Sequence, residues 1–325
     1  MSRMGEKALV TGGAGFMGSA LVRALADEEY DVYSYDNFVT GTASNVKGII
    51  PHDHIIRGDV EGWKFMKTLS TIRPEKVFHL AADPYIPLSY DHPERFVRTN
   101  FEGTLNVLMT CKTFDVRKIV HYSTSEVYGS ARTIPMNEQH PTKPQSVYAV
   151  SKLAADHLCQ VLATEQKIPV VVVRPFNCYG PRETHPYVVP EIVSQLARSE
   201  ELVLGNLEAR RDLTYVDDTA RAVCMLASKE GIEGQVFNIG SGQDYSIREL
   251  AEKTSSIMRG TLAKIRVDAK RLRPYDVSRL ICDSSRLRNL TGWKPEVALE
   301  DGLKRTIEWY KANGSVWEWE RRYSS

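Results

Sequence analysis

Near its N-terminus the chain reads Lys7-Ala-Leu-Val-Thr-Gly12-Gly-Ala-Gly15-Phe-Met-Gly18, and Asp36 follows about 20 residues further on. The apolar run predicts a strand that ends in a tight turn and leads into a helix. Gly12 permits the turn, Gly15 lets backbone approach a pyrophosphate, and Gly18 lets the helix pack on the strand. A carboxylate at Asp36 accepts the adenosine ribose hydroxyls and repels a 2′-phosphate. The pattern therefore predicts a site for NAD rather than NADP.

Short valine- and isoleucine-rich runs alternate with helical patterns along the first half of the chain. We predict strands at residues 7–11, 31–35, 54–57, 76–80, 118–123 and 170–173, a helix that starts at residues 19–25, and further helices at 93–114 and 148–166. Continuous apolar runs are typical of strands covered on both faces, as in parallel sheets. The chain is thus predicted to be α/β, with a Rossmann-like doubly wound parallel sheet.

The alternation of predicted strands and helices changes after Asn177, where prolines and glycines come close together. We interpret this change as entry into a smaller C-terminal α/β lobe that binds the substrate. A helix at 219–228 and a strand at 235–239 are predicted to return to the first domain. The NAD-binding domain is therefore predicted over 1–177 and 214–240, and the lobe over 178–213 and 241–325.

Composition argues against several classes of protein. The formal net charge is +1, with no basic block for nucleic acid or a membrane surface, and no apolar run is long enough to span a bilayer. Five scattered cysteines without a C-x-x-C pair indicate reduced thiols, so we expect a cytoplasmic protein. His52-Asp53-His54 is interpreted as a solvated loop, and we expect no metal site.

A catalytic set is predicted from Thr124, Tyr148 and Lys152. Tyr148 and Lys152 are four residues apart on a predicted helix and so share one face. A free tyrosine titrates near 10, and we expect the Lys152 ammonium and a positive nicotinamide to lower that pKa. Tyr148 can then take the proton of a sugar hydroxyl while NAD takes the hydride. Thr124, at a strand end, is predicted to orient the same hydroxyl.

Further motifs follow in order along the chain. They are His79-Leu-Ala-Ala82, Asn100-Phe-Glu-Gly-Thr104, Ser123-Thr-Ser-Glu-Val-Tyr-Gly129, Tyr148-x-x-x-Lys152, Arg174-Pro-Phe-Asn177 and Tyr179-Gly-Pro181. Together with the glycine turn, this set closely resembles the extended short-chain dehydrogenase/reductase family of nucleotide-sugar epimerases and dehydratases, over essentially the whole length. The resemblance implies a Rossmann domain with NAD, a lobe for a nucleotide-diphosphate sugar, and oxidation at sugar C4 with NAD regenerated.

The predicted cofactor-binding residues are distributed over the ends of the predicted strands. Ala81 and Ala82 would leave room for NAD, and Asp59 could bind the adenine or instead cap a helix. The full set is Gly12, Gly15, Phe16, Met17, Gly18, Asp36, Asn37, Asp59, Val60, Leu80, Ala81, Ala82, Asn100, Ser123, Tyr148, Lys152 and Pro175.

Four positions are predicted to bind the substrate, chiefly because they resemble the family's nucleotide-diphosphate ligands. Asn177 resembles the asparagine that holds the diphosphate, Arg211 a nucleotide-side arginine and Arg273 a diphosphate arginine, and Val189 completes the set. Guanidinium groups suit phosphate oxygens. Each arginine could alternatively be a solvated surface residue, and Asn177 could cap a turn.

Glu126 raises the question of a second chemical step. Once C4 is a ketone, the C5 proton becomes acidic, and a carboxylate can remove it while the C6 hydroxyl leaves as water. Many hexose 4,6-dehydratases of the family have Thr-Asp-Glu where this chain has Thr124-Ser125-Glu126, so Ser125 is predicted to relay a proton in place of the aspartate. GDP-mannose 4,6-dehydratases and some hexosamine 4,6-dehydratases share Thr-Ser-Glu.

We therefore predict an NAD-dependent nucleotide-sugar 4,6-dehydratase. A 4-epimerase, which needs no base at C5, and a UDP-glucuronate decarboxylase, which also carries Thr-Ser-Glu, stay open. So does an NAD-sensing binding protein without turnover, and Glu126 could be a structural carboxylate. Family members commonly dimerise through two helices that correspond to residues 101–109 and 153–162 here. Both have generous apolar faces, and a homodimer is expected.

Overall fold

A computed structural model of the protein describes residues 5–272 and 277–323. Its main sheet has seven parallel strands in the order β3-β2-β1-β4-β5-β6-β10. The order reverses between β1 and β4, which is the switch point at which doubly wound sheets bind ligands. The strands are β1 (Lys7–Thr11), β2 (Asp31–Asp36), β3 (Ile55–Arg57), β4 (Lys76–His79), β5 (Lys118–Tyr122), β6 (Val170–Pro175) and β10 (Val236–Ile239).

Both faces of this sheet are buried, as the apolar runs predicted. Val10 and Val171 face one cluster, whereas Leu9 and Val170 face the other, because successive side chains of a strand point to opposite sides. The first cluster is covered by α1 (Phe16–Asp27) and α8 (Val216–Ala227). The second is covered by α2 (Trp63–Ile72), α5 (Gly103–Thr113) and α6 (Val147–Glu165). The predicted doubly wound α/β fold is confirmed.

The helix predicted at 93–114 differs from the structure in one respect. Two short helices, α3 (Leu88–Asp91) and α4 (Pro93–Phe96), are followed by a π-helical segment, Val97–Glu102, before α5 begins. A π turn holds one more residue than an α turn and is common at functional sites. It contains Asn100, whose side chain is fully buried.

The smaller lobe contains two sheets and several helices. One sheet has the order β11-β9-β13 with β7 also paired to β9, and the other pairs β8 with β12. Its apolar core includes Ile192, Leu204, Leu213, Leu250 and Leu303. The elements are β7 (Asn177–Tyr179), α7 (Val188–Arg198), β8 (Glu201–Leu204), β9 (Arg210–Tyr215), β11 (Asp244–Ser246), α9 (Ile247–Arg259), β12 (Lys264–Val267), β13 (Arg279–Leu280), α11 (Leu299–Ala312) and α12 (Glu318–Tyr323).

One segment lies outside the predicted boundary of the lobe. The helix α10 (Ser285–Thr291) packs on β10 and α8 of the first domain. Leu287 and Trp293 are buried in that domain's core, and the Trp293 indole donates to the Asp218 carbonyl at 3.0 Å. The prediction that 241–325 belongs wholly to the lobe was therefore wrong, because these apolar side chains complete the core beside α8.

A buried ion pair joins α6 to β6. Arg174 and Asp156 are 3% and 0% exposed, and Arg174 Nε and Nη2 donate to the Asp156 carboxylate at 2.8 and 2.9 Å. Arg174 Nη1 also donates to the Tyr128 hydroxyl at 3.0 Å. Removing one partner of such a pair leaves an uncompensated buried charge.

We expect Asp156→Ala to lower the free energy of unfolding by about 3–5 kcal/mol, measured by urea denaturation. The control is Glu208→Ala, which breaks an exposed pair with Arg248 and should change it by less than about 1 kcal/mol. Equal effects of the two substitutions would show that the buried pair contributes no special stability.

Candidate active site

A cleft of about 700 Å³ runs along the carboxyl ends of the main-sheet strands and reaches the smaller lobe. Its size is in the range of cofactor and ligand sites. It brings together nearly all of the predicted site residues. Those that line it are Gly12, Gly15, Phe16, Met17, Gly18, Asp36, Asn37, Asp59, Val60, Leu80, Ala81, Ala82, Ser123, Thr124, Ser125, Glu126, Tyr148, Lys152, Pro175, Asn177, Val189 and Arg211.

The glycine turn lies at the switch point, where backbone packs against backbone. Gly12 has a φ of 68°, and a Cβ there would lie 2.8 Å from the Ala81 backbone nitrogen. A Cβ on Gly18 would overlap the Gly12 carbonyl. No side chain caps the N-terminus of α1, so its first backbone N–H groups are available to a phosphate. The turn thus fits a pyrophosphate.

Asp36 ends β2 at the far side of the same cleft and is 7% exposed. Its carboxylate accepts from the backbone N–H groups of Ala14 and Phe38 at 3.0 and 2.8 Å. Burial raises the pKa of Asp36, and the two N–H groups oppose that shift. An acidic group at this position fits the hydroxyls of an unphosphorylated ribose, as in NAD.

Asp59 does not cap α2, because that helix begins at Trp63 after Gly62. One carboxylate oxygen of Asp59 accepts from Asn37 Nδ2 at 3.2 Å, and the other accepts from the Glu61 backbone N–H at 3.2 Å. Asp59 and Asn37 both line the cleft near Asp36. The helix-cap alternative is thereby wrong, whereas adenine binding by Asp59 stays a prediction.

Asn100 is not among the residues that line the cleft. It is fully buried, and its Oδ1 accepts from the Asp83 backbone N–H at 2.8 Å while its Nδ2 donates to the Asp83 carbonyl at 3.1 Å. Nδ2 also donates to Ser151 Oγ on α6 at 3.0 Å. The structure gives Asn100 a contact with the Asp83 backbone, which does line the cleft, rather than a position on the cleft wall.

Tyr148 lies in the first turn of α6, which Ser146 caps by accepting from the Ala149 N–H at 3.1 Å. Burial raises the pKa of Tyr148 to about 12, a hydrogen bond with Thr124 lowers it, and the Glu126 charge raises it. These three side chains therefore lie at one end of the cleft. Burial outweighs the Thr124 hydrogen bond in the protein alone, and the lowering expected from Lys152 together with a positive nicotinamide stays a prediction.

Lys152 lies one turn further along α6 and is 3% exposed. Its ammonium donates to the Tyr122 carbonyl at the end of β5. Burial lowers the pKa of Lys152 to about 8, partly opposed by Cys159 and Asp156. The lysine is therefore held by backbone at the strand end, beside the tyrosine's helix turn.

Two buried histidines lie near Lys152. His79 Nδ1 and Nε2 share hydrogen bonds with Thr11 Oγ1 and Thr104 Oγ1 at 2.8 and 2.9 Å. Burial and Lys152 lower the pKa of His79 to about 3 and hold that of His121 well below its usual value. Both rings are therefore neutral, and Lys152 is the cation of this cluster.

Three of the four residues predicted to bind the substrate line the part of the cleft between the main sheet and the smaller sheets. Asn177 Oδ1 is buried with no hydrogen-bond partner, so it does not cap a turn. Arg211 is 9% exposed and its Nη1 donates to the Val277 carbonyl at 2.7 Å, which rules out a solvated surface residue. Arg273 lies outside the described residues.

Sequence reasoning missed an aromatic contact between the lobes. Tyr85 stacks on His185 with ring centroids 5.1 Å apart and meets Tyr187 edge-on at 5.9 Å. The Tyr187 hydroxyl donates to the Pro84 carbonyl at 3.2 Å, and Arg95 forms a two-pronged bond to Asp83 at 2.8 and 2.7 Å. No sequence motif indicates these residues. They come into contact only because two loops that are far apart in sequence converge in the fold.

No helix in residues 5–272 and 277–323 is long and apolar enough to cross a membrane. The same ranges contain no group of three or more His, Cys, Asp or Glu side chains that could hold a metal ion.

The family model described as GDP-mannose 4,6 dehydratase matches residues 9–306. The mouse protein "dTDP-D-glucose 4,6-dehydratase" is 30% identical, covering 96% of this chain and 91% of that protein. Two further relatives are each 31% identical to this chain. The UDP-glucose 4-epimerase of Mycolicibacterium smegmatis matches over 94% of this chain and 98% of its own length. The UDP-N-acetyl-alpha-D-glucosaminuronate decarboxylase of Bacillus cytotoxicus matches over 95% of this chain and 98% of its own length.

Solved structures agree. Pal from Bacillus thuringiensis superposes with a TM-score of 0.88 at 33% identity, covering 94% of this chain and 99% of Pal. DesIV, the dTDP-glucose 4,6-dehydratase of Streptomyces venezuelae with NAD and TYD bound, gives 0.86 at 29% identity, with coverage of 96% and 99%.

These features define an NAD-dependent enzyme with a Rossmann domain that acts on nucleotide sugars. The chain belongs to the extended short-chain dehydrogenase/reductase family of nucleotide-sugar epimerases and dehydratases. NAD is its cofactor, as the glycine turn and Asp36 predicted.

We expect Gly18→Ala to abolish retention of NAD, because the added methyl group overlaps the Gly12 carbonyl and displaces the turn from the pyrophosphate. The NAD content of the purified protein measures this, with circular dichroism to verify folding. Gly62→Ala is the control, since its nearest neighbouring atom lies 3.8 Å away. A folded Gly18→Ala protein with a full complement of NAD would contradict the assignment.

Proposed function

We propose that the chain is a nucleotide-sugar 4,6-dehydratase. The observation that supports this most is the Glu126 carboxylate, which lies in the cleft close enough to Tyr148 to raise the pKa of the phenol. Removal of the C5 proton requires a second base close to the one that deprotonates the C4 hydroxyl. The substrate is a nucleotide-diphosphate sugar, with its diphosphate near Asn177 and its nucleotide near Arg211, both of which line the cleft.

In the first step Tyr148 takes the proton from the C4 hydroxyl. Thr124 orients that hydroxyl, and its own hydrogen bond to the phenol stabilises the phenolate. NAD, when bound, accepts the hydride from C4 and supplies it again later in the cycle. The Lys152 ammonium, which donates to the Tyr122 carbonyl, contributes positive charge one helical turn from Tyr148.

In the second step Glu126 removes the proton from C5, which the C4 ketone has made acidic. Thr124 Oγ1 accepts from the Glu126 backbone N–H at 3.2 Å, so one threonine positions both the first and the second base. Ser125, 3% exposed and also lining the cleft, can relay the proton that Glu126 took from C5 to the departing C6 oxygen, so that water leaves. C6 then takes back the hydride, and C5 takes a proton from the solvent.

Electrostatics favour the dehydratase over the 4-epimerase. Glu126 opposes ionisation of Tyr148 and so works against the first step. An epimerase needs only that first step and its reversal. In an epimerase the Glu126 carboxylate would therefore hinder ionisation of Tyr148 without serving any later step. In a dehydratase the same carboxylate is needed, because it removes the C5 proton in the second step.

Electrostatics also disfavour the decarboxylase, whose sugar carries a carboxylate on C5. That group would face the like charge of Glu126 and would need a cation. Five described cations line the cleft, of which Arg95 is bonded to Asp83, Arg271 to Glu191 at 2.7 Å and Arg211 to the Val277 carbonyl, so Arg98 is the one that a decarboxylase would have to use. Lys152 is bonded to the Tyr122 carbonyl.

The test is to incubate the protein in D2O with UDP-, GDP-, dTDP- and CDP-hexoses and read product masses. We expect one substrate to lose one water and to gain one deuterium at C5, because the proton that Glu126 removes is replaced from the solvent. Glu126→Gln should lower water loss by about 10²–10⁴-fold, the usual contribution of a general base. Glu308→Gln, an exposed carboxylate on α11, is the matched control and should leave the rate unchanged.

Other outcomes are distinguishable. An unchanged mass with a new stereoisomer would indicate a 4-epimerase, and loss of carbon dioxide a decarboxylase. A Glu126→Gln variant that loses water at the full rate would refute the assigned C5 base. An absence of any product, together with NAD retention, would favour a binding protein.

We also propose that two copies form a homodimer through α6 and the helical stretch that ends in α5. These helices pack side by side, and their outer faces expose Leu105, Met109, Val150 and Val161 at 38–52%. A second copy placed on this face would complete a four-helix bundle and cover the apolar side chains.

Met109→Asp combined with Val161→Asp should convert the dimer to a monomer in sedimentation velocity, because two copies would bury four carboxylates. Met66→Asp on α2 is the control, since Met66 is equally exposed at 50% but lies on another helix. A dimer that survives the double substitution would place the interface elsewhere.

A further inference from the structure

Arg98 is a cation in the cleft to which the steps above give no role. It lies in the π-helical segment Val97–Glu102, and its exposed side chain lines the cleft. Glu94 and Glu102 lie four residues to either side, yet no ion pair or hydrogen bond within residues 5–272 and 277–323 engages the Arg98 guanidinium. An accessible guanidinium without a partner in a ligand cleft is suited to bind an anion.

The residues next to Arg98 connect its segment to the loop after β3. Thr99 Oγ1 donates to Glu61 Oε1 at 2.7 Å, and Glu61 lies between β3 and α2. Gly103, the first residue of α5, packs so closely on the same loop that a Cβ there would lie 3.0 Å from Val60 Cγ2. One end of the segment is therefore held at the adenosine half of the cleft.

The same segment is also connected to the loop after β4. Arg95 bonds the Asp83 carboxylate at 2.8 and 2.7 Å, and Asn100 bonds the Asp83 backbone at 2.8 and 3.1 Å. The sheet order places β2 and β1 between β3 and β4. Arg98 therefore lies on a segment that bridges the end of β1, where the glycine turn begins, and the end of β2, where Asp36 lies.

The glycine turn and this segment form opposite walls of the cleft. The helix α1, which begins at the turn, covers one face of the sheet together with α8. The π-helical segment leads into α5 and packs on α6, and these two helices cover the other face. Both the turn and Arg98 line the cleft between them. A ligand there would meet the backbone N–H groups of α1 on one side and the Arg98 guanidinium on the other.

The charges in this half of the cleft also favour an anion at Arg98. Asp36, Asp59 and Glu61 line the cleft here, and carboxylates repel a phosphate. The glycine turn, residues 12–18, contains no cationic side chain that could offset this repulsion. The other cations described on the cleft wall each donate to a protein oxygen; they are Arg95, Lys152, Arg211 and Arg271.

We propose that Arg98 binds the pyrophosphate of NAD from the wall opposite the glycine turn, at the phosphate next to adenosine. The turn offers that phosphate backbone N–H groups and the dipole of α1. A guanidinium adds a full positive charge and two parallel N–H donors for a single phosphate. The inference rests on NAD as the cofactor and is independent of the second chemical step at C5.

The test compares NAD, ADP-ribose and adenosine as ligands of the full chain freed of NAD, by calorimetric titration or, for weakly bound adenosine, by NMR titration. NAD and ADP-ribose carry the pyrophosphate, whereas adenosine carries no phosphate. Arg98→Met removes the charge at similar length and should weaken NAD and ADP-ribose alike, by about 10- to 100-fold, the usual loss for a hydrogen bond to a charged group. Adenosine should be weakened less than about twofold.

Two matched variants and added salt serve as controls. Arg98→Lys keeps the charge without the planar fork and should weaken NAD less than about fivefold. Arg248→Met removes an exposed cation that pairs with Glu208 outside the cleft, and it should leave all three affinities unchanged. Added salt should weaken NAD binding more in the native protein than in Arg98→Met, because counterions screen the attraction that this variant lacks.

Four results would overturn the proposal. Unchanged NAD binding in Arg98→Met would show that no contact exists. A loss of adenosine as large as that of NAD would place the guanidinium on the base or the ribose. A loss in Arg98→Lys as large as in Arg98→Met would show that the side chain acts by packing rather than by charge. Weaker binding of UDP-glucuronate to Arg98→Met, with NAD unchanged, would assign the cation to a sugar carboxylate.

Discussion

The close approach of two backbone segments at the switch point is the constraint on which the rest of the structure depends. Gly12 packs against Ala81 and Gly18 against Gly12 at distances that no side chain permits. Because of this contact, α1 begins directly over the carboxyl ends of β1 and β4, with its uncapped N–H groups facing the cleft. The cofactor's position, and with it the place where Tyr148 must reach the sugar, follows from that turn.

Burial disfavours the charged forms of Tyr148 and Lys152 at the reacting end of the cleft. In the protein alone burial raises the pKa of Tyr148 to about 12, so the tyrosine is not poised as a phenolate, whereas Lys152, whose pKa burial lowers to about 8, is still an ammonium at neutral pH. The positive ring of oxidised NAD is the further charge that the chemistry needs beside Tyr148. This dependence makes proton removal conditional on a loaded cofactor. Glu126 adds to the difficulty, which is why its presence carries weight as a sign of second-step chemistry.

The sugar end of the cleft is shared between the lobes. Asn100 in the π-helical segment holds the Asp83 backbone, and the adjoining Tyr85 meets His185 and Tyr187 from the lobe. Because these contacts cross between loops about 100 residues apart, the lobe is held by residues that also line the cleft.

Most of the cleft could be read from the sequence because local rules govern it. A glycine turn, a strand-ending Asp36 and a four-residue spacing from Tyr148 to Lys152 each determine local geometry that survives in any fold of this kind. The limits of prediction were the positions set by distant partners. Asn100 turned away from the cleft because the π turn directs it to Asp83, and α10 returned to the first domain to bury Leu287 and Trp293.

The sequence by itself thus determined the fold class and the NAD cofactor, and it predicted which residues meet in the cleft, because short spacings and strand ends encode them. Only the tertiary structure decided the protonation states of Tyr148 and Lys152, the aromatic contact between the lobes, and the position of Arg98 across the cleft from the glycine turn. Those properties depend on how completely water is excluded and on which charges meet across the cleft. Neither can be read from one segment of chain, since both arise when segments far apart in sequence pack together.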